Sequence, residues 1–315
     1  MGTVSAFQHI TATYNNTYLG FGGWISEVAG QVSRQRVTGP FSNPNAYAQI
    51  LVVVVPLALD RLWHERKLFF RILSLWALIA CSLSILFTYS RGGFLTLSFA
   101  IVLLLIERRP TLLPLVLTAV LGLILMRLLP TTYTERISTL LEFVPSPTTQ
   151  ITDPSFRGRL SENTAGWMMF RDHPILGVGL NNFPTQYQSY SRQLGIDPRS
   201  QKRSPASLYV EVLSEQGSLG LIVFASLLWA IHRGLRQAIK RFRDSYEKDL
   251  AFLTNAYWVS LAAYLFSAIN KNSAYSNIFW MLVGLAFAIA NVAFQSYLAE
   301  RNSQKMETMR QGNSV

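Results

Sequence analysis

Seven stretches of this chain carry no charged residue and are apolar over roughly the length of a bilayer crossing: 43–59, 72–88, 92–106, 110–126, 217–231, 250–270 and 276–298. A helix that spans the hydrocarbon core needs roughly 17–25 such residues, and the shorter stretches gain length from flanking aromatics. Inside lipid only a helix or a closed barrel satisfies its own backbone. Seven uninterrupted runs therefore predict an all-α, polytopic membrane bundle of about seven transmembrane helices. Composition agrees: half of the residues are hydrophobic (50%) and only 14% are charged, against roughly a quarter in soluble domains. The single cysteine, Cys81, lies inside an apolar run. It reads as a packing residue, with no disulfide framework and no cysteine-based zinc site.

The formal net charge of +11 raises the question of nucleic acid. Its distribution gives another answer. Lys and Arg concentrate in 60–71, 107–109, 232–249 and 299–315, which alternate along the chain with sparser segments. Basic loops stay on the cytoplasmic side. The surplus is thus topological, and nucleic acid is not an expected partner. The opposite face receives segment 1–42, the turn at 88–92 and a long loop at 130–216. The expected organisation is an external segment 1–42, four spans in 43–129, a periplasmic loop domain 130–216, three spans in 217–298 and a cytoplasmic tail 299–315, polar and frayed. Segment 1–42 carries no signal peptide. An outside tail and a truncated start both fit it, the truncated start better.

The 130–216 loop does not read as a linker. "RLSENTAGWMMFRDHP" predicts an amphipathic helix with Leu160, Ala165, Trp167, Met168 and Phe170 as its apolar residues and Pro174 past its end. Gly177 and Gly179 then allow a tight bend, and "ASLYVEVLSEQGSLGL" returns as a helix toward the membrane. Loops of this length are functional when ordered.

Topology does not require arginines on the outer face. Arg91 stands in a turn of a few residues, followed by Gly92 and Gly93. Backbone N–H groups at a helix N-terminus together with a guanidinium suit a phosphate or pyrophosphate. An interfacial anchor reaching to headgroups is the plainer reading. Arg157 and Arg159 are two apart, so one helix face cannot present both, whereas a bend at Gly158 could aim both inward. A solvated loop start explains them as well. Arg136, Arg171, Arg192, Arg199, Lys202 and Arg203 read as surface charge.

Four pieces in this order, "GPFSNPNAYAQIL", "TYSRGGFLTL", "RGRLSENTAGWMMFRDHPILGVGLNNF" and "SLYVEVLSEQGSLGL", resemble the O-antigen ligase and polymerase superfamily of bacterial membrane glycosyltransferases. The resemblance implies transfer of a glycan from a polyprenyl-pyrophosphate carrier to a hydroxyl of an acceptor glycan or glycolipid. It places this at the periplasmic face of the bacterial inner membrane, in cell-surface polysaccharide assembly, with neither cofactor nor metal. It assigns Arg91, and Arg157 or Arg159, to the pyrophosphate. Arginine can hold the charge that develops on that leaving group.

One departure stands out. The family pattern has His, then Asn, Ser or Gln, nine residues, then Gly-x-x-Gly. Here Ser207, Gly217 and Gly220 fit, but the first position is Ala206. The histidine is the family's expected base or positioner, worth about 10²–10⁴-fold as a base. His64 and His232 fall on the expected cytoplasmic side, and His9 lies in the N-terminal segment. His173, more simply explained by the helix dipole, and Glu211, five residues past Ala206, are the substitutes within reach. The alternative is a non-catalytic or transport-related member. A branch related to inorganic-carbon transport resembles this chain in lacking the histidine. The spans hold no ionisable residue, which argues against a charged pathway. Ligase and polymerase are not distinguished by these residues.

Overall fold

The computed structural model describes residues 1–29, 32–108, 154–196 and 202–312, with the isolated positions 116 and 120. The expected span 110–126 and the loop stretch 130–153 lie outside these residues. Helices dominate: α1 (Gly2–Ile10), α2 (Pro44–His64), α3 (Leu68–Phe87), α4 (Arg91–Arg108), α5 (Pro154–Asp172), α6 (Phe183–Leu194), α7 (Leu208–Asp244), α8 (Lys248–Ser267) and α9 (Asn277–Gly312). Among the described residues, five segments are long and apolar enough to cross a bilayer: α2, α3, α7, α8 extended to Asn270, and α9 to Asn302. The apolar stretch 92–106 forms α4, whose charged residues Arg91, Glu107 and Arg108 stand at its ends. The chain is an all-α polytopic membrane protein. Among the described residues the one sheet is a hairpin of β1 (Trp24–Ala29) and β2 (Val32–Val37), paired from Trp24↔Val37 to Ala29↔Val32.

Among the described residues, α8 packs into both of the largest core clusters. Its residues Ala256, Val259 and Ala263, spaced 3 and 4 apart, join Val52, Val55, Ile85 and Leu104 from α2, α3 and α4. Its residues Tyr257, Leu261 and Tyr264, spaced 4 and 3 apart, join Leu235 and Phe279 from α7 and α9. A helix apolar all round is buried on all sides. The outward faces of α3 and α9 instead leave Phe69, Ile72, Trp76, Trp280, Met281 and Phe287 exposed, as a lipid-facing surface does. Pro56 sits inside α2 and interrupts its backbone bonding. The Ser260 hydroxyl of α8 donates to Val53 O there at 2.7 Å, so a polar side chain serves the interrupted turn.

Segment 1–42 is not a loose tail. α1 lies against α3: the Ser84 hydroxyl donates to Gly2 O at 2.6 Å, and the His9 ring stacks on Phe87 at 4.2 Å. The Ser5 hydroxyl and Tyr47 Oη share a hydrogen bond of 2.8 Å. The C-terminal tail also differs from expectation, since α9 continues as helix to Gly312.

Alternation along the chain puts the starts of α2, α4, α7 and α9 and the ends of α3 and α8 at one end of the bundle. Hydrogen bonds tie that end together. Gln49 Nε2 donates to Tyr264 O at 3.4 Å, and the Ser207 hydroxyl donates to Ala268 O at 3.3 Å. The other end carries the basic segments. Arg236 makes a two-pronged contact with Glu107 at 2.7 and 2.8 Å and stacks over Trp258 at 4.0 Å. His232 and His64 are on this end, and His232 Nδ1 accepts from Trp258 Nε1 at 3.0 Å.

Candidate functional site

The α3–α4 turn is built by local capping. Tyr89 adopts a left-handed conformation (φ 48°), and the Ser90 hydroxyl accepts from Gly93 N–H at 3.0 Å, starting α4 at Arg91. The two glycines differ in purpose. A Cβ on Gly93 would stand 2.9 Å from Ala48 Cβ, so Gly93 lets α4 approach α2. Among the described residues, a Cβ on Gly92 would meet only Ser90 Oγ, at 3.9 Å. Arg36 supports the turn from outside. It is 8% exposed, and its Nε donates to Thr88 O at 2.7 Å. Nothing in the sequence pattern singled out Arg36, because its role depends on the hairpin that delivers it.

Arg157 and Arg159 do not meet at a bend. α5 is continuous from Pro154 to Asp172 and Gly158 is helical, so the two side chains leave the helix about 200° apart. Arg157 has a buried Nε with no hydrogen-bond partner among the described residues. Arg159 and Glu162 reach the electrostatic surroundings of Lys271. Arg203 is not surface charge: it pairs with Glu162 at 2.7 Å, with the two side chains 19% and 13% exposed. Arg171, Arg192 and Lys202 are exposed as expected, and Arg136 and Arg199 lie outside the described residues. The buried face of α5 runs through Ser161, Ala165 and Met169, while Trp167 is 58% exposed rather than part of that face.

The α7 entry carries the Ser207…Gly217…Gly220 pattern. Ser207 caps α7 by accepting from Tyr209 N–H at 3.3 Å. Ten residues later the helix breaks at Gly217 (φ 64°, ψ −161°), a conformation open to glycine alone. Such a break frees backbone groups, and segment 174–179 takes them up. Val178 and Gly179 N–H donate to Ser214 O and Glu215 O, both at 2.9 Å, while Ser218 and Leu219 N–H donate to Pro174 O and Ile175 O at 2.8 and 3.2 Å. The bend predicted at Gly177 and Gly179 therefore exists to pair with this break. Glu215 extends the joint: its carboxylate accepts from Asn181 N–H at 2.9 Å and Phe183 N–H at 3.1 Å, and from the Tyr275 hydroxyl. Burial, with Glu215 beside it, holds the Tyr275 phenol above its ordinary pKa. Glu215→Gln keeps the shape and removes the charge that these donors share. Thermal unfolding in detergent should show a loss of about 1–3 kcal/mol; an unchanged midpoint would mean that this carboxylate does not hold the joint.

Between the ends of α2, α7 and α8 lies a cavity of about 240 Å³, whose lining includes Phe41, Gln49, Glu211, Lys271, Asn272 and Tyr275. Glu211, 4% exposed, receives Ala274 N–H on Oε2 at 3.0 Å. The Lys271 amine donates to Asn272 Oδ1. Burial pushes this amine below the ordinary lysine range and Arg159 adds to the effect, while Glu211 and Glu162 oppose it. Ala206 is buried at the α7 entry beside this segment, since Leu208 N–H donates to Lys271 O at 3.2 Å.

The structure thus brings Glu211 and Arg159 into one neighbourhood, with Arg91 at the same end of the bundle. His173 is not brought there. It is exposed at the far end of α5, 14 residues from Arg159, or about 21 Å along the helix. Lys271 was missed. It is a basic residue in a short loop between two spans, at the bundle end opposite the basic segments, and the argument that singled out Arg91 applies to it equally.

Residues 76–225 match the family model for O-antigen ligase. They run from inside α3, through the Arg91 turn and α5, past the Gly217 break. This stretch, just under half of the chain, is of the O-antigen ligase family. A comparison with curated proteins finds no match. The match supports an O-antigen ligase-like membrane protein of glycan assembly, with lipid-linked glycans as the implied substrate class.

Proposed function

We infer that this O-antigen ligase-like protein moves a glycan from a polyprenyl-pyrophosphate carrier to a hydroxyl of an acceptor sugar. The observation that carries this reading is the convergence at one bundle end. The Arg91 turn, Arg159 of α5 and a polar cavity bearing Glu211 and Lys271 all lie opposite the basic loops. By the charge rule that end faces the periplasm of a bacterial inner membrane. The acceptor oxygen attacks the anomeric carbon as the bond from that carbon to the pyrophosphate breaks. Negative charge then grows on the leaving group, where Arg91 and Arg159 are cations that need no proton transfer to act. Arg157, on another face of α5, is the second candidate for the same anion.

Ala206 favours one other reading, a non-catalytic member that binds an anionic lipid-linked glycan without transferring it. Deletion of the gene in its own host separates the two. Transfer predicts accumulation of polyprenyl-pyrophosphate-linked glycan in membrane extracts, read by mass spectrometry, and its reversal by the wild-type chain. Unchanged lipid-linked glycan on deletion rejects transfer.

A further inference from the structure

Ala206 leaves the α7 entry without the imidazole of the family pattern, yet the residues around it are not inert. The segment bonded to that entry is 268–271, through Ser207 to Ala268 O and Leu208 to Lys271 O. Lys271 lines the same cavity as Glu211. Its charged neighbours come from two helices: Glu211 of α7, and Arg159 and Glu162 of α5. From α2 the cavity receives Gln49, which is uncharged, from α8 the phenol of Tyr264, and from Lys271's own loop Asn272, Ser273 and Tyr275.

We propose that Lys271 is the base that replaces the missing histidine. The proposal rests on the transfer reading above. The neutral amine takes the proton of the acceptor hydroxyl. The acceptor oxygen forms its bond to the anomeric carbon, and the bond from that carbon to the pyrophosphate oxygen breaks. The electron pair stays on the lipid pyrophosphate, which leaves as an anion near the arginines. The proton remains on Lys271 as ammonium, with Glu211 beside it to balance the charge.

Two features make lysine suitable here. An amine in water at neutral pH is almost wholly protonated and cannot accept a proton. Burial and the Arg159 charge raise the neutral fraction of Lys271 at any given pH. Transfer should then rise with pH through the Lys271 titration, because the deprotonated form is the active one. Glu211 holds one oxygen on Ala274 N–H at 3.0 Å, which positions it beside the ammonium that forms.

Two measurements test this. The first uses the purified full chain in nanodiscs, with trace acetic anhydride as probe and mass spectrometry as readout. The labelling midpoint of Lys271 should fall at lower pH than those of the exposed Lys202 and Lys248. Coincident midpoints overturn the proposal whatever cells show. The second places variants in the deletion host and reads lipid-linked glycan. Lys271→Met and Lys271→Arg should both accumulate it as the deletion does, with a transfer loss of about 10²–10⁴-fold. Arginine keeps a cation but cannot deprotonate, so restored transfer in Lys271→Arg means a charge role and overturns the base. Should Lys271→Met fail to insert, Lys271→Arg decides. Ala206→His added to Lys271→Met should recover transfer, with its onset at lower pH than wild type. Accumulation on deletion but none in either Lys271 variant removes the lysine and leaves the transfer reading standing. Absence of accumulation on deletion removes both.

Discussion

Arg91→Ala is expected to lower glycan transfer by about 10²–10³-fold, the range seen when one preorganised donor to a developing anion is removed. The measurement is lipid-linked glycan in the deletion host carrying the variant. Membrane insertion should be unaffected. Arg91 is the first residue of α4, and the Ser90 hydroxyl that caps the helix on Gly93 N–H stays in place. A cation at a helix N-terminus is mildly unfavourable to the helix dipole, by about 0.3–1 kcal/mol when exposed. Arg91 is therefore placed against local preference, as expected of a residue kept for an anion. Arg91→Lys should retain part of the activity, because lysine keeps the charge but loses the two-pronged fork. Full transfer in Arg91→Ala would remove the pyrophosphate role from this turn.

Gly217→Ala should be the most destabilising of the substitutions considered. The backbone at Gly217 (φ 64°, ψ −161°) lies in a region other residues do not adopt without strain. The new Cβ would also stand 2.4 Å from Ile175 O and 2.7 Å from Gly177 N. These contacts are with backbone, which cannot move aside cheaply. The backbone strain alone costs about 1–3 kcal/mol, and breaking the four cross-segment hydrogen bonds adds to it. Thermal unfolding in detergent and protease cleavage within 174–183 both read the effect. Gly284→Ala, inside α9, is the useful comparison: among the described residues its Cβ would meet nothing within 4 Å, so its effect should be smaller. Equal melting of wild type and Gly217→Ala would mean that the break does not depend on glycine.

Much of the architecture was legible in the sequence. The charge-free apolar runs 43–59, 72–88, 250–270 and 276–298 became the bodies of α2, α3, α8 and α9. Lipid allows an uncharged run of that length one solution, a helix. The pairing of Gly177 and Gly179 with Gly217 was half legible. A bend was expected at Gly177 and Gly179, but the stretch through Gly217 read as an unbroken helix; the hydrogen bonds that join them cross about 40 positions of sequence, and no local rule supplies such a partner. The β-hairpin went unread because 1–42 lacked the apolar length on which every other element was recognised.

The candidate site divides the same way. The arginines on the sparsely basic side and the missing histidine at Ala206 were visible because charge distribution and motif spacing are properties of the chain alone. The pairing of Arg203 with Glu162 and the placement of Lys271 beside Glu211 were not. Each depends on which helix faces which, and that is set by how α8 fills two cores at once. Sequence determined the span pattern and its alternation, through the cost of charge and unpaired backbone in lipid. Tertiary packing decided which polar residues share the cavity at the bundle end, because helices far apart in the chain meet there only after their apolar faces have docked.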